Sequence, residues 1–236
     1  MYTKDQYINW CKSLSKSVII VDLHFYEKHY DLADGEVLKN SNNPTISEDN
    51  YYDYGCLLEV FTKIVELDYV NETPRFYRRP IKEQYQLNSN KKYIAIHTSS
   101  KGQERNWDID KWEKLINILI NHGFNVVELG SEHLNLQETL GYINKTGLGI
   151  QDIADIIANS ECFIGIDSAL AHIANALNVK GVVLLGKYRK WDRYIPYSGN
   201  YQKGVNSKIV YAAIGQTAKE INVEIVYNAV RELLKV

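Results

Sequence analysis

Short apolar runs separated by polar breaks set the pattern of the chain from Lys91 onward. The pattern is sharpest in CFIGIDSALAHIANALNVKGVVLL, where apolar runs at Cys162 to Ile166 and Gly181 to Leu185 flank a polar break at Asp167 and Ser168. Between the runs lie an alanine-rich segment, Ala169 to Leu177, and a turn at Asn178 to Lys180. Continuous apolar runs joined by one compact helix predict adjacent strands of a parallel sheet buried on both faces. The helix then starts at the carboxyl edge of that sheet, with Asp167 at the strand exit and His172 in its first two turns. Open α/β sheets bind ligands at this edge, and helix-start amides favour an anion. Plain packing asks for the same residues, since Asp caps helices and alanines let a helix lie close to a sheet.

The neighbouring stretches extend the alternation. Tyr93 to His97 predicts a strand, Thr98 to Asn106 a polar loop, and Asp110 to His122 an amphipathic helix with Asp110 and Glu113 spaced as a cap pair. Asn125 to Leu129 is the next strand, Lys145 to Leu148 a short one, and Ile150 to Asn159 and Asn222 to Leu234 are helices. The loop Gly186 to Tyr201, dense in cations and rings, reads as a ligand rim. This order predicts a Rossmann-like parallel-sheet domain over residues 89–236. Residues 1–88 are less regular and predict a reduced amino-terminal α/β domain. Lys4 to Leu14 is a candidate helix, and Ser17 to Leu23 a strand with Asp22 and His24 at its far end. Turn signals occupy Asp34-Gly35, Asn42-Asn43-Pro44 and Gly55. Cys56 to Leu67 has helical periodicity, and Asn71 to Asn90, with Pro74 and Pro80, reads as a linker.

Composition narrows the function classes. With 45% hydrophobic and 24% charged residues and a formal net charge of −2, the sequence is that of a soluble globular protein. No basic stripe extends beyond Arg75 to Lys82, which argues against a nucleic-acid partner. No apolar run reaches spanning length and the start MYTKDQYINW is too polar for a signal peptide, so a cytoplasmic location is expected. The three cysteines have no metal-ligand spacing, and neither a disulfide framework nor a metal cofactor is expected. Neither GxGxxG nor GxxxxGK[ST] occurs, which removes the main support for a dehydrogenase or a P-loop kinase. The 18 tyrosines suit a sugar or protein contact surface and ordinary packing equally well.

Polar groups gather instead at the predicted strand ends. Thr98, Ser99, Ser100, Lys101 and Arg105 follow the first strand, and Ser131 and Glu132 the second. Asp167, Ser168 and His172 follow the fourth, and Lys187, Arg189 and Lys190 the fifth. In a parallel sheet all four loops share one edge and can converge on a diphosphate and its attached groups. Cations and helix-start amides offset phosphate charge, and a carboxylate accepts bonds from ribose or sugar hydroxyls. Taken singly, each also suits a solvated surface or a packing role.

Residues 91 to 236 resemble the carboxyl-terminal nucleotide-sugar-binding domain of the bacterial heptosyltransferase family, glycosyltransferase family nine, of GT-B fold. The likeness lies in YIAIHTSSKGQERNW, in NVVELGSE and above all in IGIDSALAHIANALNVKGVVLLG, with KEINVEIVYNAVREL similar to the family's last helix. The resemblance implies metal-independent transfer of a sugar, typically heptose from an ADP-linked donor, to a bacterial saccharide acceptor with inversion, as in lipopolysaccharide biosynthesis. By position Arg105 replaces the family's basic residue near the diphosphate, usually lysine, and Asp167 matches its donor-contacting acid. Ser168 and Ala169 match its small pair near the phosphates, the second being Gly in the family, and His172 matches the histidine that follows. Thr98, Ser99, Ser131, Glu132 and Lys187 are expected in the same cleft, with Asp22 as the general base. A homo-oligomer or partner chain, and a membrane-surface encounter through the acceptor, are further expected partners. The alternative is a noncatalytic nucleotide-sugar-binding protein or a subunit of a larger transferase.

Overall fold

Along the first strand of the main sheet the side chains alternate, sending Ile94 and Ile96 into one apolar layer and Ala95 into the other, all fully buried. The computed structural model describes residues 50–79, 92–136, 140–188 and 191–235, and positions 6, 9, 13, 31–32, 36–37 and 46. Two compact units result, Met1–Val70 and Asn71–Val236.

In the first unit, Gln6, Asn9 and Ser13 are helical, and strands β1 (Asp31–Leu32) and β2 (Glu36–Val37) pair antiparallel. Helix α1 (Leu57–Ile64) places Val60 and Ile64 against Ile46 in a small apolar cluster. The Cys56 thiol and the Tyr69 hydroxyl lie 3.2 Å apart. The predicted strand Ser17 to Leu23, with Asp22, lies outside the described residues.

The second unit carries β3 (Tyr93–His97), α2 (Ile109–Asn121), β4 (Asn125–Leu129), β5 (Tyr142–Asn144) and α3 (Ile150–Ala158). There follow β6 (Cys162–Ile166), α4 (Ala169–Ala176), β7 (Gly181–Lys187), α5 (Gly199–Gln202), β8 (Ser207–Ile214) and α6 (Val223–Leu234). Strands β3 to β8 form a six-stranded sheet in the order β5-β4-β3-β6-β7-β8, every pair parallel. One face packs Ile94, Val126, Ile164, Val182 and Val210 under α2 and α6; the other packs Val127, Phe163 and Val183 under α3 and α4. This is the doubly wound, Rossmann-like arrangement that the alternating pattern predicts.

Three expectations shift, and one strand had none. The short strand lies at Tyr142–Asn144 rather than Lys145 to Leu148, because Asn144 Oδ1 accepts from both the amide and the hydroxyl of Thr146 and turns the chain. Helix α2 is preceded by Asp108 as its cap residue, so Asp110 falls within the first turn and does not form the expected cap pair with Glu113. Strand β8 is not announced by the apolar pattern: at the sheet edge, its Lys208, Tyr211, Ala213 and Ile214 are exposed. The division between units falls at Val70/Asn71, upstream of residue 88, because the segment read as linker is tied down. Asn71 Oδ1 accepts from Gly199 N at 2.7 Å, Thr73 Oγ1 from Asn200 N at 3.1 Å, and Arg78 pairs with Asp155 at 3.3 Å. Gly199, at φ +63°, permits that approach, since a Cβ there would stand 2.3 Å from Thr73 N.

Below the carboxyl edge, the fully buried Glu128 of β4 ties three segments together. Its carboxylate accepts from Thr98 Oγ1 at 2.7 Å, from the Tyr142 hydroxyl, and from Leu134 N at 3.2 and 3.3 Å. Glu128→Ala leaves these donors without their acceptor and is expected to destabilise the second unit by about 3 kcal/mol. Urea denaturation checks this, and a loss below about 1 kcal/mol would count against the role given to the carboxylate.

Candidate functional site

Strand order reverses between β3 and β6, and the register there is level: His97 stands opposite Leu129 of β4 and Gly165 of β6. The loops leaving β3 and β6 therefore part at the sheet's carboxyl edge, opening the crevice where doubly wound folds take their ligands. Asp167 and Ser168 lie on one side of it. Arg105, carried by the turn Gln103–Arg105, comes from the other and donates from Nη1 to the Asp167 carbonyl at 3.5 Å. That turn is braced by the Asn106 side chain, which accepts from Ser100 N at 2.7 Å and donates to Ser100 O at 3.1 Å. Arg105 also engages the hydroxyl of Tyr188, just beyond β7.

Asp167 is 5% exposed and accepts at Oδ1 from the Tyr197 hydroxyl, 3.1 Å away. Burial raises its pKa, outweighing the attraction of His172 and Arg105 and the Tyr197 bond. The His172 ring lies 4.8 Å from the Tyr197 ring, and burial lowers its pKa against the opposing pull of Asp167. Burial likewise drives the Tyr197 phenol well up, so it remains a donor. Ser168, half-buried, begins α4, with Ala169 exposed as its first residue. The Ser168 hydroxyl meets Nδ1 of His97 at 2.9 Å. His97 is 8% exposed, and desolvation lowers its pKa to about 4.

A cleft of about 510 Å³ adjoins the β3 and β4 exits, lined by Ser99, Trp107, Asp110, Glu132, His133 and Lys219 among others. Thr98 reaches it too, although its hydroxyl proton is committed to Glu128. Ser131 is exposed beside Glu132. Lys187 is turned toward β8, its ammonium 4.7 Å from the centre of the Tyr211 ring. Thus Arg105, Asp167, Ser168 and His172 come together, Ser99 and Glu132 line the adjoining cleft, and Lys187 stands toward the edge strand. Asp22, Arg189 and Lys190 lie outside the described residues.

The loop expected as a rim is only partly one. Tyr197 and Tyr201 are 2% and 1% exposed, and Asn175, fully buried, donates to Ser198 O and accepts from Tyr201 N. The later part of the loop is core, and Tyr197 reaches the site from beneath. Sequence reasoning missed Tyr197, which nothing distinguishes among the loop's other rings, and His97, whose signal was a histidine closing an apolar strand. Among the described residues, no group of three or more His, Cys, Asp or Glu side chains could hold a metal ion. None of their helices is long and apolar enough to cross a membrane.

The buried imidazole gives a pH signature. Between about pH 6.5 and 4 the unfolded chain binds a proton that folded His97 refuses, so its contribution to stability is complete above this window and lost as pH falls through it. His172 acts in the same sense and Asp167 in the opposite one, which makes the comparison with a variant the informative measurement. Denaturation across this pH range is expected to give a flatter stability profile for His97→Asn than for the parent; an unchanged slope would contradict the assignment.

The family model described as glycosyltransferase family 9 (heptosyltransferase) matches residues 57–213. Lipopolysaccharide heptosyltransferase 3 of Escherichia coli K12 is 29% identical over 129 residues, covering 47% of this chain and 38% of that protein. The chain therefore spans less than half the length of that curated relative. Among solved structures, a family 9 glycosyltransferase from Veillonella parvula has the same fold, with a TM-score of 0.60 at 16% identity over 76% of this chain and 60% of that one. The dodecameric iron-containing heptosyltransferase TibC of enterotoxigenic E. coli, solved with ADP-D-β-D-heptose, superposes with a TM-score of 0.59 at 16% identity, covering 91% of this chain and 58% of that one. With a family match over more than half its length and a doubly wound domain to go with it, this chain belongs to glycosyltransferase family 9, the heptosyltransferase family.

Proposed function

We propose that the chain binds a nucleotide-sugar donor at the β3/β6 crevice and transfers its sugar, a heptose from an ADP-linked donor, to a bacterial saccharide acceptor with inversion and without a required metal. The observation that carries this reading is the meeting of Arg105 with the Asp167–Ser168 exit at the strand-order reversal of a family 9 fold. ADP-heptose is the ligand of TibC and supports the choice of donor. That protein's dodecameric state likewise supports self-association of this chain. The Arg105 guanidinium and the first amides of α4 stabilise the diphosphate as it departs, where charge develops in the transition state. The Asp167 carboxyl, fixed by Tyr197, accepts from a hydroxyl of the donor. Asp22 takes the proton of the acceptor hydroxyl as that oxygen attacks the anomeric carbon.

Calorimetry with ADP, UDP, GDP and their sugar conjugates tests the donor site. ADP or its conjugate is expected to bind in EDTA, and Arg105→Ala to weaken it by about 1 to 3 kcal/mol. Absence of binding by every nucleotide would overturn the reading. With activated sugars and bacterial glycan acceptors, nucleotide release should accompany a mass-shifted acceptor, and Asp22→Asn should slow transfer while leaving donor affinity intact. Full transfer by Asp22→Asn would dismiss Asp22 as the base. Binding without turnover would favour a noncatalytic nucleotide-sugar-binding protein or a subunit of a larger transferase.

A further inference from the structure

His97 closes β3 without entering the contacts ascribed to donor chemistry, yet its surroundings are shaped around it. The residue after β4 is Gly130, at φ +135°, and a Cβ there would stand 2.9 Å from His97 Cδ2 and 3.2 Å from Nε2. A side chain at this position would occupy the space of the imidazole. On the other side of the ring, Ser168 has extended backbone angles and occupies the cap position of α4, but its hydroxyl accepts nothing from the helix amides. Asn222, in the same position before α6, does cap, accepting from Glu224 N at 2.8 Å. The Ser168 hydroxyl is held across the crevice by His97 Nδ1, at 2.9 Å.

We propose that His97 is a positioning residue for the donor diphosphate: its Nδ1–H donates to Ser168 Oγ and so turns the Ser168 hydroxyl proton toward a phosphate oxygen. This rests on the donor-site reading and adds a part to it. Ionised phosphate oxygens only accept, so Ser168 must spend its single proton on the ligand, and its remaining partner must then be a donor. A neutral imidazole meets that need in one tautomer. In the other, the hydroxyl donates to Nδ1 and turns its lone pairs to the phosphate. Burial lowers the pKa of the ring to about 4, so at neutral pH the choice is between tautomers and no charge is added to the site. The contact of 2.9 Å accommodates either tautomer, and the bound anion selects between them.

The test is ADP calorimetry on the parent, His97→Asn and His97→Leu, each with and without Ser168→Ala, every variant first checked for a cooperative unfolding transition. Asn retains an N–H near the position of Nδ1, whereas Leu removes it. His97→Leu is expected to weaken ADP about tenfold, His97→Asn to recover most of that loss, and Ser168→Ala to make all three residues at position 97 equivalent. Equal losses with and without the serine hydroxyl, or an Asn variant no better than Leu, would overturn the proposal while leaving the donor site standing. Failure of the parent to bind ADP, UDP or GDP would overturn both. Nitrogen-15 spectra of the parent with ADP give a readout independent of the variants. A neutral His97 protonated at Nδ1 is expected, and a ring protonated at Nε2 would contradict the proposal.

Discussion

The level register of β3, β4 and β6 is the constraint on which the site depends. His97 is aligned with Leu129 on one side and Gly165 on the other, so three strands finish within one residue of one another. Parallel pairing then sends every exit loop to one edge, and reversal of strand order between β3 and β6 parts two of them. A shift of one residue in β6 would turn its alternating side chains to the opposite layers and remove Ser168 from the reach of His97. The apolar layers on both faces of the sheet make such a slip costly, and thereby hold the polar groups above them in place.

Buried polar groups carry that order upward into the loops. Glu128 joins the β3 exit, the β4 loop and β5 through its carboxylate, and Asn175 fastens the return segment that bears Tyr197. Each is satisfied by several partners, which offsets the cost of removing it from water. Asp167 and His172 are placed otherwise. Desolvation shifts each toward its neutral form against their mutual attraction.

The fold was legible where the sheet is buried on both sides, because apolar runs at β3, β6 and β7, and the shorter one that Glu128 interrupts in β4, mark such strands. It was less legible at β8, whose outer side chains are exposed, and at β5, whose end is set by the side-chain turn at Asn144 and Thr146. The carboxyl-edge loops followed from topology, and with them the meeting of Arg105, Asp167, Ser168 and His172. Tyr197 was not foreseeable, since its approach depends on the folding back of residues 197–201 over Asn175. The tie between residues 71–79 and helix α3 and the start of α5 was hidden for the same reason: Asn, Thr and Arg side chains secure a segment with no periodicity of its own.

The central claim is that the carboxyl edge of this sheet receives a nucleoside diphosphate at the β3/β6 reversal. Backbone hydrogen exchange with and without ADP addresses it directly. The account predicts slower exchange on ADP binding at residues 98–107 and 168–172, with the opposite edge of the sheet, near Lys92, Asn125 and Gly181, unchanged. Protection confined to that opposite edge, or saturating ADP with no protection at either carboxyl-edge segment, would contradict it.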